Sequence, residues 1–176
     1  MIKSKTALAT LAFAGACFVP LAHAADISQG AQTLDLSAGS TGFLRTILSG
    51  NLGNTFTDRY DFTVGAGTTL TSLLSGFGAT DQSGIDFSGF SLVSSAGLSL
   101  SGTPAVSDGA VTTWKLWASP LPADSYHLLV SGKVLQAGAT TYVGAVNVSA
   151  VPEPGTYAML LGGLGLLGYV ARRRKA

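Results

Sequence analysis

The sequence of 176 residues has very little of the residue types that carry most enzyme chemistry: one cysteine, two histidines and one glutamate. Cys17 and His23 lie near the N-terminal end, and Glu153 lies near the C-terminal end. The long middle part therefore has no thiol and a single histidine, His127. These absences exclude disulfide bonds and thiol catalysis there, and they argue against a zinc site, which needs several nitrogen or sulfur ligands.

Charge is also scarce, since only 11% of the residues are Asp, Glu, Lys or Arg. Residues 25–150 carry four basic side chains against eight aspartates, a net charge of −4 with histidine neutral. Proteins that bind nucleic acid cluster Lys and Arg on one face to meet the phosphates. The middle part has no basic cluster, so we expect no nucleic-acid partner.

The N-terminal end has the three parts of a secretory signal peptide. Two lysines supply positive charge, residues 7–19 form an apolar core, and Ala22 and Ala24 place small side chains at positions −3 and −1 of a cleavage site. The pattern predicts a signal peptide over residues 1–24, cut before Ala25.

A rival interpretation is a lipoprotein signal that would use Cys17. That signal usually has leucine three positions before the cysteine, where this chain has Ala14. It would also leave more apolar sequence on the mature protein. We therefore favour the cut before Ala25.

The C-terminal end, residues 151–176, joins three segments of different chemistry. A proline-rich elbow that excludes a helix comes first, because proline restricts its own φ and the residue before it. An uncharged stretch follows and predicts a single transmembrane helix at about residues 156–171. A basic cluster ends the chain and predicts a cytoplasmic tail. The elbow contains Pro152, Glu153 and Pro154, and the cluster contains Arg172, Arg173, Arg174 and Lys175.

The predicted span is short for a membrane. Sixteen helical residues rise roughly 24 Å at about 1.5 Å each, against a hydrocarbon core of about 30 Å. Snorkelling arginine and lysine side chains cover part of the difference. Such a helix fits temporary retention better than a permanent anchor.

This combination of elbow, glycine-rich helix and terminal arginines resembles the PEP-CTERM sorting signal of Gram-negative bacteria. The resemblance implies processing by an exosortase, a membrane protease-transpeptidase that would recognise Pro152, Glu153 and Pro154. It also implies export through the inner membrane to the cell surface or medium, in the company of exopolysaccharide or biofilm matrix. It says nothing of what the exported part does.

Residues 25–150 have the composition of an antiparallel β-sandwich. Gly, Ser, Thr and Ala dominate, strong helix formers are scarce, and short alternating runs end in turn residues about every ten positions. We predict an all-β fold, a single jelly-roll-like sandwich. The predicted strands are 33–36, 41–48, 55–64, 68–74, 87–94, 97–100, 111–117, 125–133 and 142–148.

The clearest strand, residues 55–64, places Asp58 among aromatic side chains. Alternation puts Phe56, Asp58, Tyr60 and Phe62 on the same face. A buried carboxylate has to be paired or hydrogen-bonded. We therefore expect Asp58 to bind backbone N–H groups, an arginine or a cation. A turn at residues 65–67 predicts that the next strand pairs back as a hairpin.

Phe56-x-Asp58-x-Tyr60-x-Phe62 resembles the motif of the FxDxF family of PEP-CTERM proteins, with Tyr60 in place of the second phenylalanine. Residues 121–132 and 141–144 fit the same pattern. The rhythm of the domain is also loosely similar to the pre-peptidase C-terminal β-sandwich of secreted enzymes. The FxDxF resemblance implies a structural role for the four motif residues and no activity.

Candidates for catalysis or metal binding are few. His127 alternates with apolar neighbours and is expected to face solvent; no Gly-x-Ser-x-Gly elbow marks a nucleophilic serine. A glycosidase pair would have to be two aspartates. Asp81, Asp86 and Asp108 lie in loops that suit Ca²⁺, but without the spacing of a calcium loop. We predict no catalytic residue, no metal and no cofactor.

Two features leave a binding role open. Trp114 and Trp117 fall on opposite faces of one strand, and Trp117 is the better candidate for an exposed ring that stacks on a sugar. Threonine pairs at 68–69, 112–113 and 140–141 raise an ice-binding alternative, but they lack a regular repeat. The sequence thus predicts a non-enzymatic exported surface or matrix protein, with a carbohydrate-binding module as the alternative.

Overall fold

The computed structural model describes residues 24–78, 83–108, 111–150 and 154–173. The predicted signal peptide up to His23, with Ala22, therefore lies outside the described residues. The same holds for Pro152, Glu153, Arg174 and Lys175. The predicted domain boundaries stay predictions.

The described part of residues 25–150 consists of β-strands, arranged as two five-stranded sheets. The first sheet has the order β1-β3-β9-β5-β6, and the second has the order β2-β10-β4-β8-β7. The strands are β1 (Gln32–Thr33), β2 (Ser40–Ile47), β3 (Thr55–Val64), β4 (Thr68–Phe77), β5 (Ile85–Ser94), β6 (Ser99–Ser101), β7 (Thr103–Asp108), β8 (Val111–Leu121), β9 (Asp124–Val134) and β10 (Thr140–Ala150).

Pairing within both sheets is antiparallel, except for β1, which runs parallel to β3. The all-β sandwich predicted from composition is confirmed. With β1 and β7 set aside as edge strands, the other eight strands are divided between the sheets in the order of a jelly roll.

The predicted β3–β4 hairpin is wrong. β3 pairs with β9 in the first sheet, whereas β4 lies between β10 and β8 in the second sheet. The turn at residues 65–67, in which Gly67 has φ of 66°, carries the chain from one sheet to the other. A sequence-local turn cannot distinguish these two outcomes, because both need a tight reversal followed by a strand.

The core lies between the sheets and is built from the inward faces of both. Aromatic rings contribute much of it, and Tyr60, Tyr126 and Tyr142 are each 0% exposed. The rings of Phe56 and Tyr142 stack with centroids 5.7 Å apart. Strand alternation predicted this face of β3 correctly, because the side-chain period of a strand is two.

One helix follows the sandwich, α1 (Pro154–Arg173). The prediction that the elbow excludes a helix is wrong for Pro154, which opens α1. Proline is tolerated at the first helical position, because the N–H that it lacks would have no partner within the helix there. Leu160, Leu164 and Leu167 are all more than half exposed. Over the residues that the structure describes, no helix combines the length and the apolar character needed to cross a membrane. The predicted transmembrane helix at about 156–171 is thus a helix, but its spanning character is not supported.

Candidate functional site

The four residues of the predicted family motif lie side by side on the inner face of β3. Phe56, Asp58, Tyr60 and Phe62 are 3%, 0%, 0% and 4% exposed. The carboxylate that alternation placed among aromatic rings is therefore fully buried. It lies in the core beneath the second sheet.

Asp58 is held by three kinds of donor. The Arg45 guanidinium of β2 contacts both carboxylate oxygens and forms an ion pair with Asp58. The Tyr142 hydroxyl of β10 donates to Oδ2, and the backbone N–H of Gln29 donates to Oδ1 at 2.9 Å. Of the three possibilities raised by the sequence, the structure combines the arginine with a backbone N–H group.

The tyrosine hydroxyls extend this buried network. Tyr60 Oη and Tyr142 Oη lie 2.8 Å apart, and the Gln29 side-chain amide donates to Tyr60 at 2.9 Å. Burial raises the pKa of Tyr142 well above its ordinary value, and the hydrogen bond to Asp58 raises it further. Burial also raises the pKa of Tyr60. Both phenols therefore stay protonated and act as donors.

Arg45 also joins the network to the N-terminal segment of the domain. Its Nη2 donates to the carbonyl oxygen of Ile27, and its guanidinium lies 5.1 Å from the centre of the Phe56 ring. The Arg45 side chain is 11% exposed. Among the described residues no buried side-chain nitrogen or oxygen lacks a partner. The network thus links β2, β3, β10 and residues 27–29 into one buried polar unit.

This arrangement suits structural support better than catalysis. Asp58 is 0% exposed, so a substrate cannot reach its carboxylate without opening the core. Its oxygens are also already occupied by a guanidinium, a phenol and an amide. We define these residues, Gln29, Arg45, Asp58, Tyr60 and Tyr142, as the buried network.

A second polar cluster lies on the outer face of the first sheet, and the sequence analysis missed it. Asp61 Oδ1 accepts from Arg59 Nε at 2.6 Å and lies 2.8 Å from His127 Nδ1. The hydrogen bond from Arg59 holds the pKa of Asp61 below its usual value, with a smaller contribution from His127. His127 lies on the predicted outer face, but it is half-buried and paired rather than free in solvent. The pair could be found only from the register between β3 and β9, in which Asp61 lies directly opposite His127.

The outer face of the second sheet has a different character. Trp117 is 67% exposed there, beside Thr71 of the neighbouring strand, and Lys115 precedes it on the same face. Leu44, Leu73 and Phe77 are also exposed. Among the described outward residues of β2, β4, β8 and β10 there is no carboxylate. Trp114 instead packs against the core. The ring predicted to be exposed is the exposed one.

Among the described residues, the threonine pairs and the aspartates considered for Ca²⁺ form no comparable site. The prediction that Asp86 and Asp108 lie in loops is wrong, since they belong to β5 and β7. Thr68 and Thr140 are buried while their partners face outward, so each of these pairs is split between the two faces of a strand. Asp81 lies outside the described residues. Within the ranges that the structure describes, no three His, Cys, Asp or Glu side chains come together.

The helix α1 contains part of the predicted sorting signal. Pro154 begins α1, and Arg172 and Arg173 lie in its last turn, both exposed. Cationic side chains are favourable near the C-terminal end of a helix. Three residues separate the end of β10 at Ala150 from the start of α1 at Pro154, so a short elbow joins the sandwich to the helix.

Comparison with known proteins identifies this segment. The family model described as the PEP-CTERM protein-sorting motif matches residues 150–175. No curated protein matches the chain. The match is limited to the end of the chain, and the FxDxF resemblance stays a prediction.

Two solved structures are similar to the sandwich. One is the pre-peptidase C-terminal domain of collagenase from Bacillus anthracis, with 18% identity, 69% of this chain and 96% of that chain covered, and a TM-score of 0.39. The other is PliG from Aeromonas hydrophila, a periplasmic lysozyme inhibitor of g-type lysozyme, with 15% identity, 71% and 100% covered, and a TM-score of 0.40. Similarity at this level transfers no function to this chain.

Proposed function

We propose, from the PEP-CTERM sorting motif that this chain carries, that it is a non-enzymatic exported protein of the cell surface or extracellular matrix. The single observation that carries the proposal is the motif match over residues 150–175. The motif marks the chain for export and membrane-associated sorting. The fold supports the proposal, because a sandwich joined to a sorting helix by one short elbow can be released by a single cut.

The proposed route has two cleavages. A signal peptidase removes residues 1–24 by cutting after Ala24, with Ala22 at position −3. The C-terminal segment then holds the protein at the inner membrane of a Gram-negative host, with Arg172, Arg173, Arg174 and Lys175 on the cytoplasmic side. An exosortase recognises Pro152, Glu153 and Pro154 and cuts there. The sandwich is released or attached outside.

We propose a structural or adhesive role, and the way the fold uses its polar groups supports this role over catalysis. The buried carboxylate is bound by three donors and fully enclosed. On the surface, Asp61 is bound by Arg59 and His127. A catalytic carboxylate needs an open approach to its substrate, which Asp58 lacks.

Mass spectrometry of the protein recovered outside its host cells tests the proposal. We expect a mature chain that begins at Ala25 and ends near Glu153. Substitution of the motif, Pro152→Ala with Glu153→Ala, should leave the uncut form in the membrane fraction. Gly155→Ala is the matched control, because Gly155 is exposed and an added methyl group meets nothing within 4 Å. Recovery of the wild-type chain at full length, still carrying Arg174, would refute the proposal.

The second candidate function is carbohydrate binding, with an extracellular polysaccharide as the partner. The observation that favours it is the exposed Trp117, flanked by Lys115 and Thr71 on the outer face of the second sheet. An indole ring offers an apolar surface to the C–H face of a sugar, and neighbouring hydroxyls supply hydrogen bonds. The sequence alternative of ice binding gains no such support, since the threonine pairs are split between faces.

Tryptophan fluorescence tests this candidate. In a Trp114→Phe variant, Trp117 is the only fluorescent indole, so quenching reports directly on the candidate ring. A panel of neutral and acidic polysaccharides is titrated against this variant and against Trp117→Phe, the reciprocal control. Quenching in the first and none in the second is the expected result. No quenching with any polysaccharide would remove the candidate.

A further inference from the structure

The sandwich binds its own N-terminal segment from the first residue after the predicted signal cleavage site. The backbone N–H of Ala25 donates to Asn54 Oδ1 at 3.0 Å, and the Ala25 carbonyl accepts from Thr55 N–H at 3.0 Å. The N–H of Ile27 then donates to the Thr55 carbonyl at 2.9 Å. Ala24, on the other side of the predicted scissile bond, is exposed. The segment is therefore held beside β3 by backbone hydrogen bonds and one parallel β-bridge, between Asp26 and Thr55.

The same segment continues into the buried network. The N–H of Thr57 donates to Ser28 Oγ at 2.7 Å, which fixes the segment one step further along β3. Gln29 then donates to Asp58, and Arg45 donates to the carbonyl of Ile27. Undocking residues 25–29 would remove two partners from a buried ion pair. Docking is thus coupled to the buried ion pair of Arg45 and Asp58.

We infer that the Ala24–Ala25 bond is a processing site that is open only before residues 25–29 dock, and that folding closes it. This inference rests on the proposed export step. A protease binds its substrate as an extended strand and hydrogen-bonds its backbone groups. Here both backbone groups of Ala25 are already bound by Asn54 and Thr55. The peptidase and β3 therefore compete for the same backbone.

Cleavage itself strengthens the docked state. Hydrolysis breaks the C–N bond and adds one water, which leaves a carboxylate on Ala24 and an amine on Ala25. The new α-amino group has an ordinary pKa of about 7.7–8.0, so at neutral pH it takes up a proton. An ammonium group then donates to Asn54 Oδ1 in place of a neutral amide N–H. Charge-assisted hydrogen bonds are the stronger kind, so the cut segment docks more tightly than the uncut one.

The test uses the full precursor in detergent micelles, treated with a purified bacterial signal peptidase. A Ser28→Ala, Asn54→Ala double variant removes the acceptors for Thr57 and Ala25 without touching the buried ion pair. Asn147→Ala is the matched control, since Asn147 is exposed on the outer face of the second sheet. Hydrogen exchange at the Ile27 and Thr57 amides reports docking in each protein.

Proteolysis of a structure that opens rapidly follows the population of the open form. We expect the folded wild-type precursor and the control to be cut at least about tenfold more slowly than the double variant. Should the double variant fail to fold, wild-type precursor in urea that the peptidase tolerates takes its place. Equal rates for docked and undocked forms would overturn the inference.

Sequencing the product separates this inference from the export proposal. A product that begins at Ala25 upholds the proposed signal cleavage, and the rate ratio then decides the inference alone. A product that begins elsewhere refutes the cleavage site, and the inference falls with it. The C-terminal sorting test is independent of both outcomes.

Discussion

Replacing Asp58 by asparagine is the most direct test of the buried network. The substitution keeps the size of the side chain and one carbonyl acceptor, but it removes the negative charge. Arg45, whose side chain is 11% exposed, is then left without a counter-charge. The new amide NH₂ group, itself a donor, must also face the Tyr142 hydroxyl or the Gln29 N–H, which are donors to Asp58, so one hydrogen bond is lost.

The expected loss is large for one substitution. Breaking a buried ion pair by removing one partner costs about 3–5 kcal/mol, and a buried donor left unsatisfied costs about 1–3 kcal/mol. Arg45 reaches some solvent, so we take the lower end, about 3 kcal/mol of unfolding free energy. A domain of this size loses about 3–5 °C in Tm per kcal/mol. We therefore expect Tm to fall by about 10–15 °C.

Thermal unfolding at pH 7, followed by circular dichroism, measures the effect. Asp86→Asn is the matched control, because Asp86 is exposed on β5 and its substitution should change stability by less than about 0.5 kcal/mol. An Arg45→Met, Asp58→Leu double variant should be more stable than Asp58→Asn, since neither charge is left bare. An unchanged Tm in Asp58→Asn would refute the structural role assigned to Asp58.

Other predictions follow from individual contacts. Gly144→Ala should cost about 1–3 kcal/mol in urea unfolding, because the added methyl group would overlap the Phe43 ring; Gly138→Ala, where the methyl group meets nothing within 4 Å, should not. The pKa of Asp61 is lowered by its hydrogen bond from Arg59. The ionised carboxylate therefore stabilises the folded state above about pH 4, and this stabilisation is lost as the pH falls below that value. Asp61→Asn should therefore flatten the acid limb of the stability curve, and an unchanged limb would contradict this. The pKa of Tyr142 is raised by burial, so stability should fall as the pH rises above about 10. Tyr142→Phe should reduce that alkaline loss while lowering stability at pH 7.

Local patterns carried much of what the sequence predicted. Alternation identified β3 with its correct bounds and its correct inner face, because a strand exposes alternate side chains to opposite environments. The same rule separated Trp117 from Trp114. The sorting motif is a run of chain-local chemistry, so it needs no fold to be recognised. The helix after Pro154 was predictable, although its spanning character was not supported.

Local sequence patterns could not predict which distant strands pair with each other. The turn after β3 looked like a hairpin, yet the chain crosses to the other sheet. The strand β7 was not predicted, and His127 appeared free because its partner Asp61 lies 66 positions away. Such contacts depend on how both sheets close around a common core, and no local period encodes that choice.

The buried network shows where the two kinds of information divide. Sequence alone determined that Asp58 lies among aromatic side chains and must have a partner, because burying a bare carboxylate is too costly. Only the tertiary structure decided that the partners are Arg45, Tyr142 and Gln29, which are 13, 84 and 29 positions away. The need for a counter-charge is a property of one strand, whereas its supply depends on which strands the closed sandwich brings together.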